Sequence, residues 1–137
     1  MLLDRPGARD MSLRTPLGQA LGTGAARHGV HHWWVQRLTS VALVPLSIWF
    51  LVSLLTLSSF DHSTVIAWMA HGSTALLLIL FVLVASRHSQ LGVAVVVEDY
   101  VHGGLRTLTL VISTFAHVLL ASAGVLAILR TALRGLT

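Results

Sequence analysis

Residues 76–84 read LLLILFVLV, an unbroken apolar run, and a second apolar run, VAVVV, follows at residues 93–97. The polar residues RHSQ, at positions 87–90, lie between the two runs. If the helix ended after the first run, the second would be a lone strand, and a membrane offers such a strand no pairing partner. We therefore predict one long helix over residues 65–98. It places His88 within a membrane span, where an ionisable residue is a functional site by default.

The composition is that of an integral membrane protein. Of the 137 residues, 55% are hydrophobic and only 10% are charged, which excludes a soluble globular domain. The absence of cysteine excludes disulfides and iron–sulfur ligation. The formal charge of +4 comes from arginines that flank apolar segments instead of forming a basic face, so nucleic-acid binding is excluded too.

Three apolar segments each reach the length of about 20 residues that a bilayer-spanning helix requires. We predict helices over about 33–57, 65–98 and 107–130, and thus an all-α, integral membrane three-helix bundle over residues 31–137. Pro45 falls inside the first helix, where neighbouring helices can satisfy the carbonyl that a proline frees.

The first part of the chain, residues 1–30, differs from the rest because it is rich in arginine, glycine and proline. We predict a mobile cytoplasmic leader. Met11 is an equally good initiator, which would make the first ten residues an extension.

The orientation of the chain in the membrane is predicted from the distribution of its arginines. Four of them precede the first helix and Arg106 lies in the second connection, whereas the first connection has none. The positive-inside rule therefore places the N-terminus and the second connection in the cytoplasm, although Arg130 and Arg134 oppose this orientation. The second connection also contains the glycine pair 103–104, which is typical of a helix end.

His88 precedes Asp99 by eleven residues, which at about 100° per residue returns to nearly the same helix face. One face would then carry an imidazole inside the membrane. The acid–phenol pair Asp99 and Tyr100 would lie about 16 Å nearer the surface.

Two stretches of the chain resemble a known family. The first is GVHH at residues 29–32 with RLTS at 37–40, and the second is His88, then Gly92, then DYVHG at 99–103. With three spans and this length, the chain resembles the small hydrophobic membrane anchor of succinate dehydrogenase (succinate:quinone oxidoreductase, respiratory complex II), of the cytochrome b556 type. The resemblance covers nearly everything after about residue 20.

The resemblance implies a haem site. His88 would be the axial ligand to the iron of haem b, and a histidine of the other membrane-anchor chain of the complex would complete the coordination. The alternative for His88 is an interhelical hydrogen bond. Arg37 would lie near the haem propionates, with His31 beside it, while the alternative for Arg37 is positive-inside anchoring.

The resemblance also implies a ubiquinone site. Tyr100 would donate a hydrogen bond to a carbonyl oxygen of ubiquinone, and Asp99 would orient a donor or relay protons. The alternatives are an interfacial belt tyrosine and a carboxylate that balances nearby arginines. Trp33 and Trp34 are expected to be belt residues.

Two other histidines are not expected to bind the same iron. His71 lies seventeen residues before His88, or about 25 Å along a helix. His117, in the third span, is most simply a buried hydrogen-bonding residue.

On this resemblance the chain anchors succinate dehydrogenase and helps to pass electrons from succinate to ubiquinone, without being catalytic alone. Its partners would be the flavoprotein, the iron–sulfur protein and the second membrane-anchor chain. Its location would be the bacterial cytoplasmic (inner) membrane, in preference to the mitochondrial inner membrane.

Three alternatives remain open. A dihaem anchor of the fumarate-reductase kind would use His71 or His117 for a second haem, but that anchor type resembles a single five-helix chain. A small membrane transporter would need a membrane-embedded carboxylate, and none lies between Arg37 and Ser58. The third alternative is a purely structural protein without a cofactor.

Overall fold

The computed structural model describes residues 26–134, and side chains from residue 30 onward. Its helices are α1 (Ala26–Leu55), α2 (His62–Ala70), α3 (Gly72–Tyr100) and α4 (Gly104–Arg134). No strand occurs within these described residues, so the predicted all-α fold is confirmed. Most of the predicted leader, including Met11, lies outside the described residues.

Three of the helices, α1, α3 and α4, are long and apolar enough to cross a membrane. They contain 30, 29 and 31 residues, respectively. At 1.5 Å per residue each extends for about 45 Å, which exceeds the roughly 30 Å hydrocarbon core of a bilayer. The predicted three-span bundle is therefore confirmed. Each span either tilts or projects beyond the hydrocarbon.

The helix predicted over residues 65–98 is divided in the structure. His71 has an extended backbone (φ −66°, ψ 126°), so α2 ends at Ala70 and α3 begins at Gly72. Glycine is a poor helix former, which makes this position a low-cost place for the break. From Gly72 onward, α3 runs without interruption through the polar residues 87–90, as predicted.

Helix α3 is the centre of the bundle. Both α1 and α4 pack against it, and the short α2 packs against α3 and α4. The buried core lies at the end of the bundle that carries α2, where Ala75 and Leu78 of α3 meet Ile128 of α4. Tryptophan, phenylalanine and aliphatic side chains surround this core. Leu91 and Val97 are buried further along α3, so buried contacts extend beyond this cluster towards the other end of the helix.

Aromatic side chains tie three helices together at the same end. The rings of Phe50 in α1 and Phe81 in α3 stack with their centroids 5.1 Å apart. Trp68 of α2 stacks on Trp49 of α1 at 6.4 Å. Offset ring pairs of this kind stabilise a fold by about 0.5–1.5 kcal/mol beyond their buried area. They hold the α2 end of α1 against α3.

Most of the apolar surface is outside this core. In the most apolar 18-residue window of α1 no residue is buried, and in α3 and α4 the buried share of the window is 11%. A monomeric soluble protein rarely exposes apolar surface on this scale to water. The three spans thus require hydrocarbon or partner helices around them.

The connection between α3 and α4 is short and contains Gly103 in the left-handed region (φ +68°). Other residues rarely adopt this conformation, so the turn favours glycine at position 103. Helix α3 already ends at Tyr100 with Val101 as its cap, and Gly104 begins α4, so the glycine pair forms the start of α4 and does not end α3. Pro45 lies inside α1, as predicted, and the helix continues through the proline to Leu55.

A close contact between α3 and α4 is possible because residue 124 is glycine. A Cβ added at Gly124 would lie 3.1 Å from Cγ1 of Val82. We expect Gly124→Val to destabilise the bundle by about 1–3 kcal/mol, because overpacking forces the helices apart. The measurement is the thermal midpoint of the purified complex.

The matched control is Gly72→Val, since an added Cβ at Gly72 meets no atom within 4 Å. Combining Gly124→Val with Val82→Ala should recover part of the lost stability. An equal thermal midpoint for the two glycine variants would contradict the packing argument.

Candidate functional site

His88 lies near the middle of α3 and contacts α1. Its Nδ1 atom is 3.1 Å from Oγ1 of Thr39, which lies 49 residues earlier in the chain. The imidazole is half-buried at this contact between the two helices. The interhelical hydrogen bond, the alternative role of His88, is therefore present, but it occupies only one of the two ring nitrogens.

The Thr39 hydroxyl has one hydrogen and three neighbouring acceptors. They are the backbone oxygens of Val35 and Gln36, both at 2.9 Å, and Nδ1 of His88 at 3.1 Å. When the hydroxyl donates within its own helix, its oxygen accepts from His88 Nδ1–H. In that tautomer the Nε2 atom carries the free lone pair. No described residue hydrogen-bonds to Nε2.

An open groove of about 510 Å³ begins at His88 and follows α3 towards Tyr100. Its lining residues are His88, Ser89, Gly92, Val93 and Val96. A Cβ added at Gly92, one turn from His88, would meet no atom within 4 Å, so the glycine leaves space beside the imidazole. The groove therefore combines one available nitrogen ligand with largely apolar walls.

Asp99 and Tyr100 are the last two residues of α3 and follow the groove residues along the helix. The Tyr100 side chain is 80% exposed and belongs to the last residue of the helix. Within residues 30–134, Asp99 makes neither a hydrogen bond nor an ion pair. The nearby arginine, Arg106, pairs instead with Glu98 at 3.6 Å. The role of Asp99 therefore stays a prediction, and the carboxylate that pairs with Arg106 is Glu98.

Arg37 lies two residues before Thr39 on α1, and its guanidinium is stacked on an indole. The Cζ atom is 5.0 Å from the ring centroid of Trp33, a cation–π contact. Trp33 in turn packs edge-on against Trp34, with centroids 5.2 Å apart. His31 is exposed and makes neither a hydrogen bond nor an ion pair with the other described residues. The implied roles of Arg37 and His31 therefore stay predictions.

His117 is satisfied within the chain. Its Nδ1 donates to the backbone oxygen of Ser113 at 2.7 Å, and its Nε2 accepts from the hydroxyl of Ser89 at 3.2 Å. Both ring nitrogens are occupied, so the prediction of a hydrogen-bonding role for His117 is confirmed.

His71 is placed far from His88, at the break between α2 and α3. Its Nδ1 lies 3.3 Å from the hydroxyl of Ser73, and the residue is exposed. It lines a separate groove with residues of α2. The two histidines lie at different depths of the bundle, as the sequence spacing predicts.

No group of three or more His, Cys, Asp or Glu side chains within the described residues could hold a metal ion. A metal bound at His88 would therefore need further ligands from beyond residues 30–134. This arrangement suits a site that is shared between chains or supplied largely by a cofactor.

Sequence reasoning missed the partner of His88. Thr39 stands in the RLTS stretch at residues 37–40, but no spacing in a single sequence shows that it is level with His88. Gln36, one turn from Ser40 on α1, has a buried side-chain oxygen, Oε1, without a hydrogen-bond partner among the described residues. The α1–α3 contact is thus more polar than the apolar pattern of α1 indicates.

The hydrogen bond to Thr39 can be tested without reference to activity. We expect Thr39→Val to remove the acceptor for His88 Nδ1–H, so that both tautomers become populated. The measurement is the ¹⁵N chemical-shift pattern of the His88 ring in the histidine-labelled complex. Thr39→Ser keeps the hydroxyl and should preserve the parental pattern. If valine and serine give the same spectrum, Thr39 does not set the tautomer.

Comparison with known proteins agrees with a membrane anchor. Residues 11–129 match the family described as succinate dehydrogenase/fumarate reductase transmembrane subunit. The chain is 33% identical over 100 residues to the succinate dehydrogenase hydrophobic membrane anchor subunit of Rickettsia bellii (strain RML369-C), covering 73% of this chain and 80% of the relative. The corresponding protein of Paracoccus denitrificans is 29% identical over 119 residues, covering 87% and 92%. No solved structure matches the chain.

Proposed function

Because the chain belongs to the succinate dehydrogenase/fumarate reductase transmembrane subunit family, we propose that it is the small hydrophobic anchor of a succinate:ubiquinone oxidoreductase. In this role it helps to bind haem b and forms part of the ubiquinone-reduction site. Flavoprotein and iron–sulfur chains oxidise succinate, and a second anchor chain lies beside this one in the membrane. The chain alone lacks the cysteines for iron–sulfur clusters and is not catalytic in isolation.

The single observation that carries the haem proposal is the state of His88. Its Nδ1–H is held by Thr39 at 3.1 Å, and its Nε2 is free beside an open apolar groove. Metal-bound histidines typically donate the other ring N–H to a protein oxygen, which fixes the ring orientation. The groove leaves room for a flat macrocycle, because Gly92 presents no side chain there and Val93 and Val96 are apolar. Its lining residues all belong to α3, so the partner anchor chain would supply the opposite wall.

When bound, haem b supplies a one-electron redox centre within the membrane. His88 would hold the iron of the haem through Nε2, and a hydrogen bond from Nδ1–H to Thr39 would keep the imidazole in the required tautomer. Arg37 is suited to a propionate, because its guanidinium fork matches a carboxylate and makes no ion pair within residues 30–134. Its Cζ lies over the Trp33 ring, 5.0 Å from the centroid. His31 is assigned to the same region with support from the family resemblance alone.

The ubiquinone proposal rests on Tyr100 and Asp99. A phenol that is 80% exposed at the end of α3 is accessible to a substrate that arrives from the bilayer or from a partner surface. Its O–H donates to a quinone carbonyl oxygen, on which negative charge builds during reduction. Asp99 is free to orient that donor or to move a proton, because Glu98 already pairs with Arg106.

We place the start of α1 and the end of α3 on the cytoplasmic side of a bacterial inner membrane. The two ends lie on one side of the bundle, since His32 and Glu98 line the same cleft. The arginines before α1 and in the second connection support the cytoplasmic assignment through the positive-inside rule. Bacterial relatives support the inner membrane as the location.

The alternatives receive less support. A second haem on His117 would require breaking two hydrogen bonds, to Ser113 and Ser89. A transporter would need an acidic side chain within a span, but the acidic residues of the described part are Asp61, in a connection, and Glu98 and Asp99, at the end of α3.

The haem assignment predicts that His88→Leu removes haem b or abolishes its low-spin character, because the axial nitrogen is lost. The measurement is the optical spectrum of the purified complex. His71→Leu is the matched control and should leave the spectrum unchanged, since that histidine lies at the other end of α3. A normal spectrum in the His88 variant, or its loss in the His71 variant, would overturn the assignment.

The quinone assignment predicts that Tyr100→Phe lowers turnover with ubiquinone by about 10- to 1,000-fold, the range for removing one donor to a developing oxyanion. Assembly and haem content should stay normal, because only an exposed hydroxyl is removed. The measurement is succinate–ubiquinone reductase activity.

Succinate oxidation with an artificial acceptor that takes electrons before the membrane anchors is the control and should be spared. If the Tyr100→Phe complex reduces ubiquinone at the parental rate, the phenol is a belt residue.

A further inference from the structure

A second polar site lies on a different face of α3 from the His88 groove. Its central residue is Arg87, and consecutive residues of a helix point about 100° apart. The site is a cleft of about 240 Å³ where α1, α3 and α4 converge. Its polar lining residues are His32, Arg87, Gln90, Glu98, Ser113 and Thr114. None of them lines the His88 groove, so the two sites are separate.

The charge of Arg87 is not neutralised by the described residues. Its Nη1 donates to Oε1 of Gln90 at 2.6 Å, and Gln90 Nε2 donates to the hydroxyl of Thr114 at 3.0 Å. These partners are neutral. Within residues 30–134 the carboxylate–arginine ion pair is that of Glu98 with Arg106, and no carboxylate reaches Arg87. A guanidinium at membrane depth is costly without an anionic partner.

The depth of Arg87 in the membrane can be estimated from the residues of α1 that lie beside it along the bundle axis. Helices α1 and α3 are antiparallel, because Thr39 meets His88 while Phe50 meets Phe81. Trp33 is six residues before Thr39 and so lies level with about residue 94 of α3. Tryptophans mark the edge of the hydrocarbon. Arg87 is thus about 10 Å inside that edge, and its bond to Gln90 draws the guanidinium towards the surface.

The cleft continues into an apolar groove on the side of Arg87 that faces the bilayer centre. This second groove, also of about 240 Å³, shares Arg87 and Gln90 with the cleft. Its apolar lining residues are Leu83 of α3 with Val118 and Ala121 of α4, and Ser86 and His117 complete the lining. Ser86 and His117 already hydrogen-bond within the bundle, Ser86 to the backbone oxygen of His117. A guanidinium that reaches from inside the hydrocarbon towards its edge, with apolar side chains below it, matches a phosphate attached to an acyl chain.

We propose that this cleft binds an anionic phospholipid, with its phosphate on Arg87 and one acyl chain along Leu83, Val118 and Ala121. The planar fork of an arginine binds two phosphate oxygens at once. The Thr114–Gln90 hydrogen bond fixes the amide that orients the guanidinium. The site does not depend on the haem or quinone assignments, since it shares no residue with either.

The test uses the intact complex in detergent, titrated with phosphatidylglycerol and analysed by native mass spectrometry. We expect the parental complex to bind phosphatidylglycerol in preference to phosphatidylcholine. Arg87→Gln should weaken phosphatidylglycerol binding by about 10- to 100-fold, the value of a charge-assisted hydrogen-bond pair. Arg87→Lys should weaken it less, because the charge is kept and only the fork is lost.

The matched control is Arg130→Gln, which also removes one positive charge from the described part of the chain. Arg130 lines neither the cleft nor the second groove, so its replacement should leave lipid binding unchanged. Arg106 does not serve as the control, because its partner Glu98 lines the cleft and would lose its counter-charge. An equal loss in Arg87→Gln and Arg130→Gln would show a general charge effect and overturn the site.

Competition with inorganic phosphate distinguishes a phospholipid site from a site for a free anion. Inorganic phosphate lacks an acyl chain, and we expect it not to compete with phosphatidylglycerol. Competition at equal free concentration would assign a free-phosphate site and overturn the lipid proposal. Parental affinity in Arg87→Gln would also overturn it and would point to a carboxylate of a partner protein as the counter-charge. Should Arg87→Gln fail to assemble, the parental lipid preference and the Arg87→Lys titration decide the question.

Discussion

Inside a bilayer every polar group must find a partner, and this requirement organises the polar turn of α3 at residues 86–90. Towards α4 the requirement is met within the chain, because His117 bonds to Ser89 and Gln90 bonds to Thr114. Towards α1 it is half met, since Thr39 takes one nitrogen of His88. What remains is one imidazole lone pair and one guanidinium charge. These two unmet groups are where we propose the cofactor and the lipid.

The aromatic packing of the bundle and the proposed site residues lie towards different ends of α3. At the α2 end, stacked aromatic rings and the close approach of Gly124 to Val82 hold the helices together. Towards the Tyr100 end, Leu91 and Val97 of α3 are buried as well, while Gly92 faces open space beside the His88 groove. This distribution suits an anchor whose site is completed by partners, because a partner can cover the exposed groove without repacking the buried contacts.

The sequence allowed the helices to be predicted more fully than the site. An apolar run of spanning length is a local property, so the three spans, the continuity of α3 and the turn at Gly103 were all predictable. The break at His71 was not, because neither His71 nor Gly72 is a strong helix breaker on its own. The partnership of Thr39 with His88 depends on how two helices are aligned, and one sequence carries no information on that alignment. For the same reason the sequence did not predict the Arg87 cleft, because residues of three different helices line it.

Adjacent positions on one helix can serve two sites without competition, and the two sites that we propose on α3 have this geometry. His88 and Arg87 point about 100° apart, so a flat cofactor beside the imidazole and a lipid beside the guanidinium would approach different faces. The order of the two residues is constrained. Shifting either by one position would turn the imidazole away from Thr39 or move the arginine out of reach of Gln90. The pair of hydrogen bonds, one to each neighbouring helix, therefore fixes the rotation of α3 about its own axis and with it the direction in which each site opens.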